Sequence, residues 1–318
     1  MESSAKKFDV IVVGELNVDL ILNQLQSFPV TGKERLAENM SLTLGSSSAI
    51  FASNLSSLGL KVSFVGKIGN DLFGNFCKDY LDEKGVDTSM LIQSDDLKTG
   101  ATIVLNFGED RANITYQGAM KHLGLQEITK EMLSTARHLH FSSYFLQPGF
   151  KDDLHHLFEI ARGAGLTTSL DVQWDPEEQW DFDYKKVLPH VDVFFPNEQE
   201  LLNLTKKNTI DTAIEAVERY GKLILVKQGR HGSLLNYNNK TVRTKSFLND
   251  KVVDAIGAGD SFNAGFIFKF IQGFSPEDSQ VFGNLIGAIS TTKSGGTTAF
   301  TNYEDTMKIA RTKFHYED

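Results

Sequence analysis

The sequence predicts an α/β fold: a doubly wound, mostly parallel sheet flanked by helices, with a small β lid standing off it. Three observations carry that expectation. Short aliphatic runs alternate with helical stretches from Phe8 to Lys227, the rhythm of stacked βαβ units. Two groups of alternating strands, within about residues 16–44 and 98–118, interrupt that rhythm. Near the end, Gly257-Ala258-Gly259 opens a strongly apolar helix.

The chain of 318 residues has room for one large α/β domain or two ordinary ones. We read 1–318 as a single domain with the lid strands inserted in its core. At 41% hydrophobic and 23% charged, the composition supports an ample core. A formal charge of −9 argues against nonspecific nucleic-acid binding but leaves room for a local basic site. No apolar signal core opens the sequence, and no apolar run approaches a bilayer span. Cys77 is the only cysteine, so no intrachain disulfide forms. The expectation is a cytoplasmic protein without nucleic-acid or membrane partners.

Phe8 to Gly14 is nearly continuous β-branched hydrophobe, as suits a central parallel strand. It runs into Glu15-Leu16-Asn17-Val18-Asp19. Carboxylates past the carboxyl end of a central strand stand where open α/β sheets bind ligands; Asp19 closing a turn is the plain alternative. Residues 20–45 carry Pro29, Gly32 and many charges, and read as exposed strands and turns. Residues 46–58 form a small-residue helix stopped by Gly59, and 62–66 a strand. Residues 70–84 form a helix closed by Gly85.

Thr102 to Phe107 and Asn113 to Tyr116, joined by Gly108-Glu109-Asp110, read as a hairpin. With the earlier strands it makes either a flap over the ligand or an ordinary edge hairpin. The strand–helix alternation then resumes: strand 138–141, helix 151–164, strand 166–172, strand 191–195, helices from Pro196-Asn197 and over 209–220, and strand 223–227. His138 and His140 share one strand face; without further ligands nearby they read as structural histidines sooner than zinc ligands. Trp174 and Trp180 sit in an acidic loop, where packing and a ligand platform both fit.

In the last helix Phe262, Phe266 and Phe270 recur four residues apart, with Ile267 and Ile271 on the next row. Such a helix has little polar face and should be buried, with Gly273 near its end. Its small first residues leave backbone N–H groups uncovered, and those donors, with the positive end of the dipole, suit an anion. Asp260 at that end is either a favourable first-turn residue or a general base beside a phosphate pocket.

The run Asp254-Ala255-Ile256-Gly257-Ala258-Gly259-Asp260 resembles the D-x-x-G-A-G-D signature of the ribokinase/PfkB carbohydrate-kinase family. Gly14 to Asp19 is similar to the family's first strand and sugar-binding aspartate. Pro196-Asn197-Glu198-Gln199-Glu200 resembles its P-N-x-x-E element, and Lys227-Gln228-Gly229-Arg230-His231-Gly232 its nucleotide-side glycine turn. These motifs stand in order across roughly residues 8–300.

The resemblance implies a ribokinase-like fold and transfer of the ATP γ-phosphoryl to a primary hydroxyl of a small sugar. It implies Asp260 as the base, with Gly257, Ala258 and Gly259 around the migrating phosphoryl. Asp19, Asn17, Gly45 and Ser46 fall on the substrate side. Lys227, Gly229, Gly232 and Asn284 fall on the nucleotide side. Asn197 and Glu200 resemble a pair that organises Mg²⁺ through water. Asp254 and the Ile256 carbonyl, with Lys293-Ser294-Gly295, resemble a loop for a monovalent cation, K⁺.

Two departures from the family pattern concern the substrate half. Gly45-Ser46-Ser47-Ser48-Ala49-Ile50 stands where G-G-x-x-x-N is frequent, so an apolar side chain replaces an amide that would touch a sugar hydroxyl. A less polar substrate group, or hydroxyl contacts from Ser46 to Ser48, would answer the change. Asp171-Val172-Gln173 stands where D-x-N is usual, lengthening the amide's reach. The alternatives within kinases are 2-keto-3-deoxygluconate and nucleoside kinases; outside them, a non-catalytic sugar- or nucleotide-binding protein. Edge strands of the lid would also let two copies pair as a homodimer.

Overall fold

Alternation of side chains along the first strand explains how the fold is layered. Val10 and Val12 point into one apolar cluster, and Ile11 and Val13 into another on the opposite face. The computed structural model describes residues 6–107 and 110–317. Gly108 and Glu109 of the expected hairpin turn lie outside the described residues.

In chain order the first half comprises β1 (Phe8–Val13), β2 (Asn17–Asn23), β3 (Asn39–Leu44), α1 (Ser47–Ser57), β4 (Val62–Val65), β5 (Lys67–Gly69), α2 (Leu72–Glu83), β6 (Ile92–Ser94), β7 (Gly100–Phe107) and β8 (Asp110–Tyr116). There follow α3 (Lys130–Ser134), β9 (Ala136–Ser142), α4 (Leu154–Gly163), β10 (Thr167–Asp171), α5 (Tyr184–Val187), β11 (Val193–Phe194), α6 (Glu198–Thr205), α7 (Ile210–Val217) and β12 (Leu223–Lys227). The last elements are β13 (Ser233–Tyr237), β14 (Lys240–Thr244), α8 (Ala258–Phe270), α9 (Pro276–Ser290) and α10 (Tyr303–Phe314).

Among the described residues, eight strands form one sheet in the order β14-β13-β12-β11-β10-β9-β1-β4. From β12 to β4 every pairing is parallel, and the hairpin β13–β14 extends the edge antiparallel. Helices α1, α8 and α9 contribute to the cluster on one face, and α4, α6 and α7 to the other. The strand order reverses between β1 and β9, since β1 is followed by β4 on one side and by β9 on the other. That is the switch point where ligands enter such sheets.

The expected apolar helix is α8, whose residues from Asp260 to Phe268 are all buried. Strand 191–195 is shorter than expected, only Val193–Phe194 pairing as strand, although Val191 and Phe195 are also buried. Helix 151–164 begins later, at Leu154, after a 3₁₀ turn at Pro148–Phe150.

A second sheet, β3-β2-β7-β8, is built from the two interrupting groups. Its register puts Val18, Leu20 and Leu22 beside Leu44, Leu42 and Met40 on one side and beside Ala101, Ile103 and Leu105 on the other. Tyr116, Ile114 and Ala112 complete that apolar face. The opposite face carries Asn17 and Asp19, with Thr102, Val104, Arg111, Asn113 and Thr115, and it looks into the cleft.

Candidate functional site

A cavity of about 540 Å³ lies beyond the carboxyl ends of β1 and β9, between the main sheet and the lid. Its near end is lined by Glu15, Asn17, Asp19, Ser46, Ser47, Ile50, Ser143 and Trp174. Its far end is lined by Asn197, Glu200, Lys227, Gly229 and the whole turn from Ala255 to Asp260. A second cavity of about 350 Å³ shares Lys227, Gly229, Ala255, Ala258 and Gly259 with the first. Phe247, Val252, Phe262 and Ala288 give it an apolar wall, and Gly232 and Asn284 also border it. The turn that opens α8 is thus the partition between two chambers.

Gly257 is the N-cap of α8 at φ 71°, with no side chain closing the helix end. The left-handed backbone favours glycine, a Cβ there would run into Gly296 and Ile50, and no side-chain cap occupies the first helix N–H groups. Asp260, buried in the first turn, accepts a hydrogen bond at Oδ1 from Gln173 Nε2 at 3.0 Å. Burial and the neighbouring Asp171 carboxylate push the Asp260 carboxyl up to about 6, against Lys227 and hydrogen bonds from Ser47 and Gln173.

Asp171, fully buried at the end of β10, is a hub. Its Oδ2 accepts from Lys227 Nζ at 2.5 Å, Asn263 Nδ2 at 2.6 Å and Gln173 Nε2 at 3.0 Å. Burial alone would lower the Lys227 ammonium, but the carboxylates of Asp171 and Glu200 outweigh it and hold the lysine charged. Glu200 is pushed upward by burial and then by Asp171. Asn197 and Glu200 form a closed capping box at the start of α6, with Asn197 N donating to Oε2 and Asn197 Nδ2 to Oε1. An oxygen-rich pair of this kind, with lone pairs to spare, fits a hydrated Mg²⁺.

At the near end, Asn17 Nδ2 donates to Asp19 Oδ1 at 3.1 Å and contacts Thr102 Oγ1 at 3.2 Å. Burial lifts the Asp19 carboxyl to about 6, opposed by Asn17, Arg111 and Thr102. A Cβ on Gly45 would sit 2.3 Å from Asp19 Oδ1 and 2.5 Å from Asn17 Nδ2, so the glycine makes room for both. Asp19 is a residue of the lid strand β2, one face of which it shares with Asn17, and does not close a turn.

Of the three hydroxyls expected to meet the substrate, those of Ser46 and Ser47 border the cleft, and each has a partner within the protein, Ser47 on the Asp260 carboxyl. Ser46 borders the cleft, but its Oγ caps α1, accepting from Ala49 N and donating to the Glu15 carbonyl. Ser48 is fully buried, its Oγ on Glu15 Oε2 and Ser142 Oγ. Ile50 lines the cleft beneath Gly257 and Gly296.

Asn284 reaches the second cavity with its Nδ2 bonded to Ser233 Oγ. Asp254 lines neither cavity; it joins its own loop to the 293–295 turn, accepting from Ile256 N and Gly295 N at 2.9 Å each. Trp174 lines the cleft and meets the buried Trp180 edge-on.

His138 and His140 are buried under α1 and α8, both bonded to Ser169 Oγ at 2.7 Å, with His138 Nδ1 also on Thr167. Only His138 is satisfied at both nitrogens; His140 Nε2 has no partner. Among the described residues no group of His, Cys, Asp or Glu is arranged to hold a metal directly.

Sequence reasoning placed Glu15 among the carboxylates past the central strand but gave it no role; its buried carboxyl lines the cleft and is lifted by burial to about 7 despite bonds from Ser48 and Ser143. The same reasoning passed over Asn263, whose amide faces the Asp171 hub from inside α8. The signal for Glu15 was its place directly after the central strand, and Asn263 follows Asp260 by three residues on the same helix.

Residues 7–302 match the pfkB family of carbohydrate kinases. The chain is 28% identical over 305 residues to a 2-dehydro-3-deoxygluconokinase of Bacillus subtilis, covering 91% of each. It is 24% identical to a nucleoside kinase of Methanothermobacter thermautotrophicus, covering 97% of each. Among solved structures, ribokinase from Thermotoga maritima superposes with a TM-score of 0.83 at 25% identity, over 96% of this chain and 100% of that one. With the family match spanning nearly all of its length, and the Gly257–Gly259 turn set between two chambers, this chain belongs to the pfkB family of carbohydrate kinases.

Proposed function

We propose that this protein transfers the γ-phosphoryl group of ATP to a primary hydroxyl of a small carbohydrate. The observation that carries the proposal is the shared cleft of Asp19 and Asp260, with the Gly257–Gly259 turn dividing it from the apolar chamber. The sugar lies at the near end against Asp19, Asn17 and Ser47. The nucleotide lies in the apolar chamber, bordered by Gly229, Gly232 and Asn284. ATP is bound in the Arabidopsis thaliana ribokinase and Xylella fastidiosa fructokinase structures, and ATP with Mg²⁺ in an E. coli protein assigned to ribokinase II.

In this reading the Asp260 carboxylate takes the proton of the acceptor hydroxyl. The oxygen then bonds to the γ-phosphorus as the bond to the ADP oxygen breaks. The N–H groups of the Gly257–Gly259 turn, the α8 dipole and the Lys227 ammonium stabilise charge on the moving group. Asn197 and Glu200 would hold a hydrated Mg²⁺, whose charge would neutralise the nucleotide phosphates. The Asp254 loop is where K⁺ would be held. The lid covers the sugar and keeps water from accepting the phosphoryl group.

ADP release measured against a panel of sugars, sugar acids and nucleosides tests the proposal. Release stimulated by one acceptor supports it; sugar binding without turnover from any acceptor overturns it in favour of a binding protein. The keto-acid sugars and nucleosides on that panel test the alternatives suggested by the relatives.

A homodimer through the lid belongs to the same reading. Its outer face is apolar across four strands, with Met40, Leu42, Ile103, Ile114 and Tyr116 exposed. A contiguous apolar face of this kind on a soluble enzyme suits a second copy. Light scattering of the wild type and of Ile114→Asp checks it: the expected results are a dimer and a monomer, and a monomeric wild type overturns it. We read the location as cytoplasmic, in keeping with one buried cysteine and, among the described residues, no helix long and apolar enough to cross a membrane.

A further inference from the structure

Gln173 stands at φ 60°, left-handed backbone that residues with side chains adopt at a cost. It falls in the connecting segment after β10, which ends two residues earlier, at Asp171. What the conformation achieves is an aim. The Gln173 amide reaches back so that Nε2 lies 3.0 Å from Asp171 Oδ2 and 3.0 Å from Asp260 Oδ1. Its own backbone N–H also faces Asp171, at 3.3 Å from Oδ1. The side chain borders the acceptor cleft.

One amide nitrogen therefore bridges two carboxylates that would otherwise repel each other. Asp171 is pinned from its other sides by Lys227 and Asn263. Lys227 Nζ in turn comes within 3.6 Å of where a side chain on Gly259 would begin, beside the phosphate-facing turn. A continuous chain of polar contacts thus runs from the ammonium, through Asp171 and the Gln173 amide, to Asp260. It fixes cation and base relative to one another at the two sides of the turn.

We propose that Gln173 is a positioning residue for phosphoryl transfer, its amide holding the Asp260 carboxylate ionised and aimed at the acceptor hydroxyl by tying it to the Lys227–Asp171 pair. The proposal rests on Asp260 being the base. Ser47 supplies Asp260 with a second hydrogen bond, so loss of the amide weakens the base without abolishing it.

The test uses Gln173→Met, which keeps length and removes both donors, and Gln173→Glu, which sets a further carboxylate against Asp260. Both are measured in the full-length enzyme for kcat and acceptor KM across pH, with Tm recorded beside them. For Gln173→Met the expected result is a kcat lower by roughly 10- to 100-fold, at or below the lower end of what a general base itself contributes, with acceptor KM within about twofold. The acid limb of kcat/KM moves to higher pH in both variants, further in Gln173→Glu, because a donor that favoured the ionised base is gone.

A merely structural role would lower Tm or the yield of active enzyme and leave the limb in place. A limb unmoved in both variants overturns the proposal, whatever happens to kcat. Failure of the underlying reading looks different: Asp260→Asn would then turn over normally, and no limb would be assigned to Asp260 at all.

Discussion

Ile50 touches Gly257 through the space a side chain would fill: a Cβ on the glycine would lie 3.0 Å from Ile50 Cγ2 and 2.7 Å from the Gly296 Cα. The backbone there is left-handed, at φ 71°. Gly257→Ala therefore meets both a conformational cost of about 1–2 kcal/mol and a steric conflict with backbone that cannot swing aside. The expected outcome is a lower Tm, with a fall in kcat larger than the change in acceptor KM. Thermal unfolding and steady-state kinetics on one preparation check it.

Asp260→Asn should lower kcat by at least roughly 100-fold while acceptor KM changes little, because the amide cannot take the hydroxyl proton. Near-normal turnover would remove Asp260 from the reaction. In the wild type, activity should be present above pH 6 and fall away as pH drops through about 6, where burial and Asp171 set this carboxyl. A pH profile flat down to 4.5 contradicts that assignment.

Asp19→Ala acts at the other end of the cleft. It removes the acceptor held beside Asn17 and Thr102 and should raise acceptor KM by roughly tenfold or more, the loss of a charged hydrogen bond, with a smaller effect on kcat. Isothermal titration with the acceptor found in the panel measures the same loss directly, and unchanged affinity refutes the role.

The buried histidines should cost the protein stability in acid, against the buried carboxyls of Glu15, Asp19 and Asp260, whose raised values act in the opposite sense over the same range. Burial lowers His138 to about 3 and His140 well below the usual histidine range, whereas in the unfolded chain each titrates near 6.5. Protons therefore bind the unfolded state first. The neutral histidines' share of stability is intact above pH 6.5 and is lost as pH falls below it, by about 1.4 kcal/mol per pH unit for each. Urea unfolding of the wild type and of His138→Gln at pH 7.5 and 5.5 isolates this share: the variant should lose less stability, or gain more, than the wild type between the two, and an identical pH dependence refutes the role.

Much of the parallel sheet was legible because strands buried on both faces read as apolar runs, as in Val10-Ile11-Val12-Val13 and Leu223-Ile224-Leu225-Val226. The hairpin β13–β14 escaped, although Asn238 and Asn239 at φ 49° and 60° form the two-residue turn that such dipeptides favour. Helices α9 and α10 escaped as well: α9 buries residues around most of its circumference, which blurs the helical period. In the site, the local motifs could be read because a tight turn or a capped helix needs particular residues at fixed offsets. The Asp171–Gln173–Asp260 bridge spans 87 residues of sequence at its longer contact, and no local spacing announces a contact closed only by the sheet.

Strand β2 carries Asp19 inward toward the cleft and Leu20 outward on the exposed side of the lid. A slip of one place in its register would send the acid to solvent and the leucine into the cleft. Redesign of the lid's exterior therefore has to preserve this register, because the same pairing fixes which side chains line the cavity.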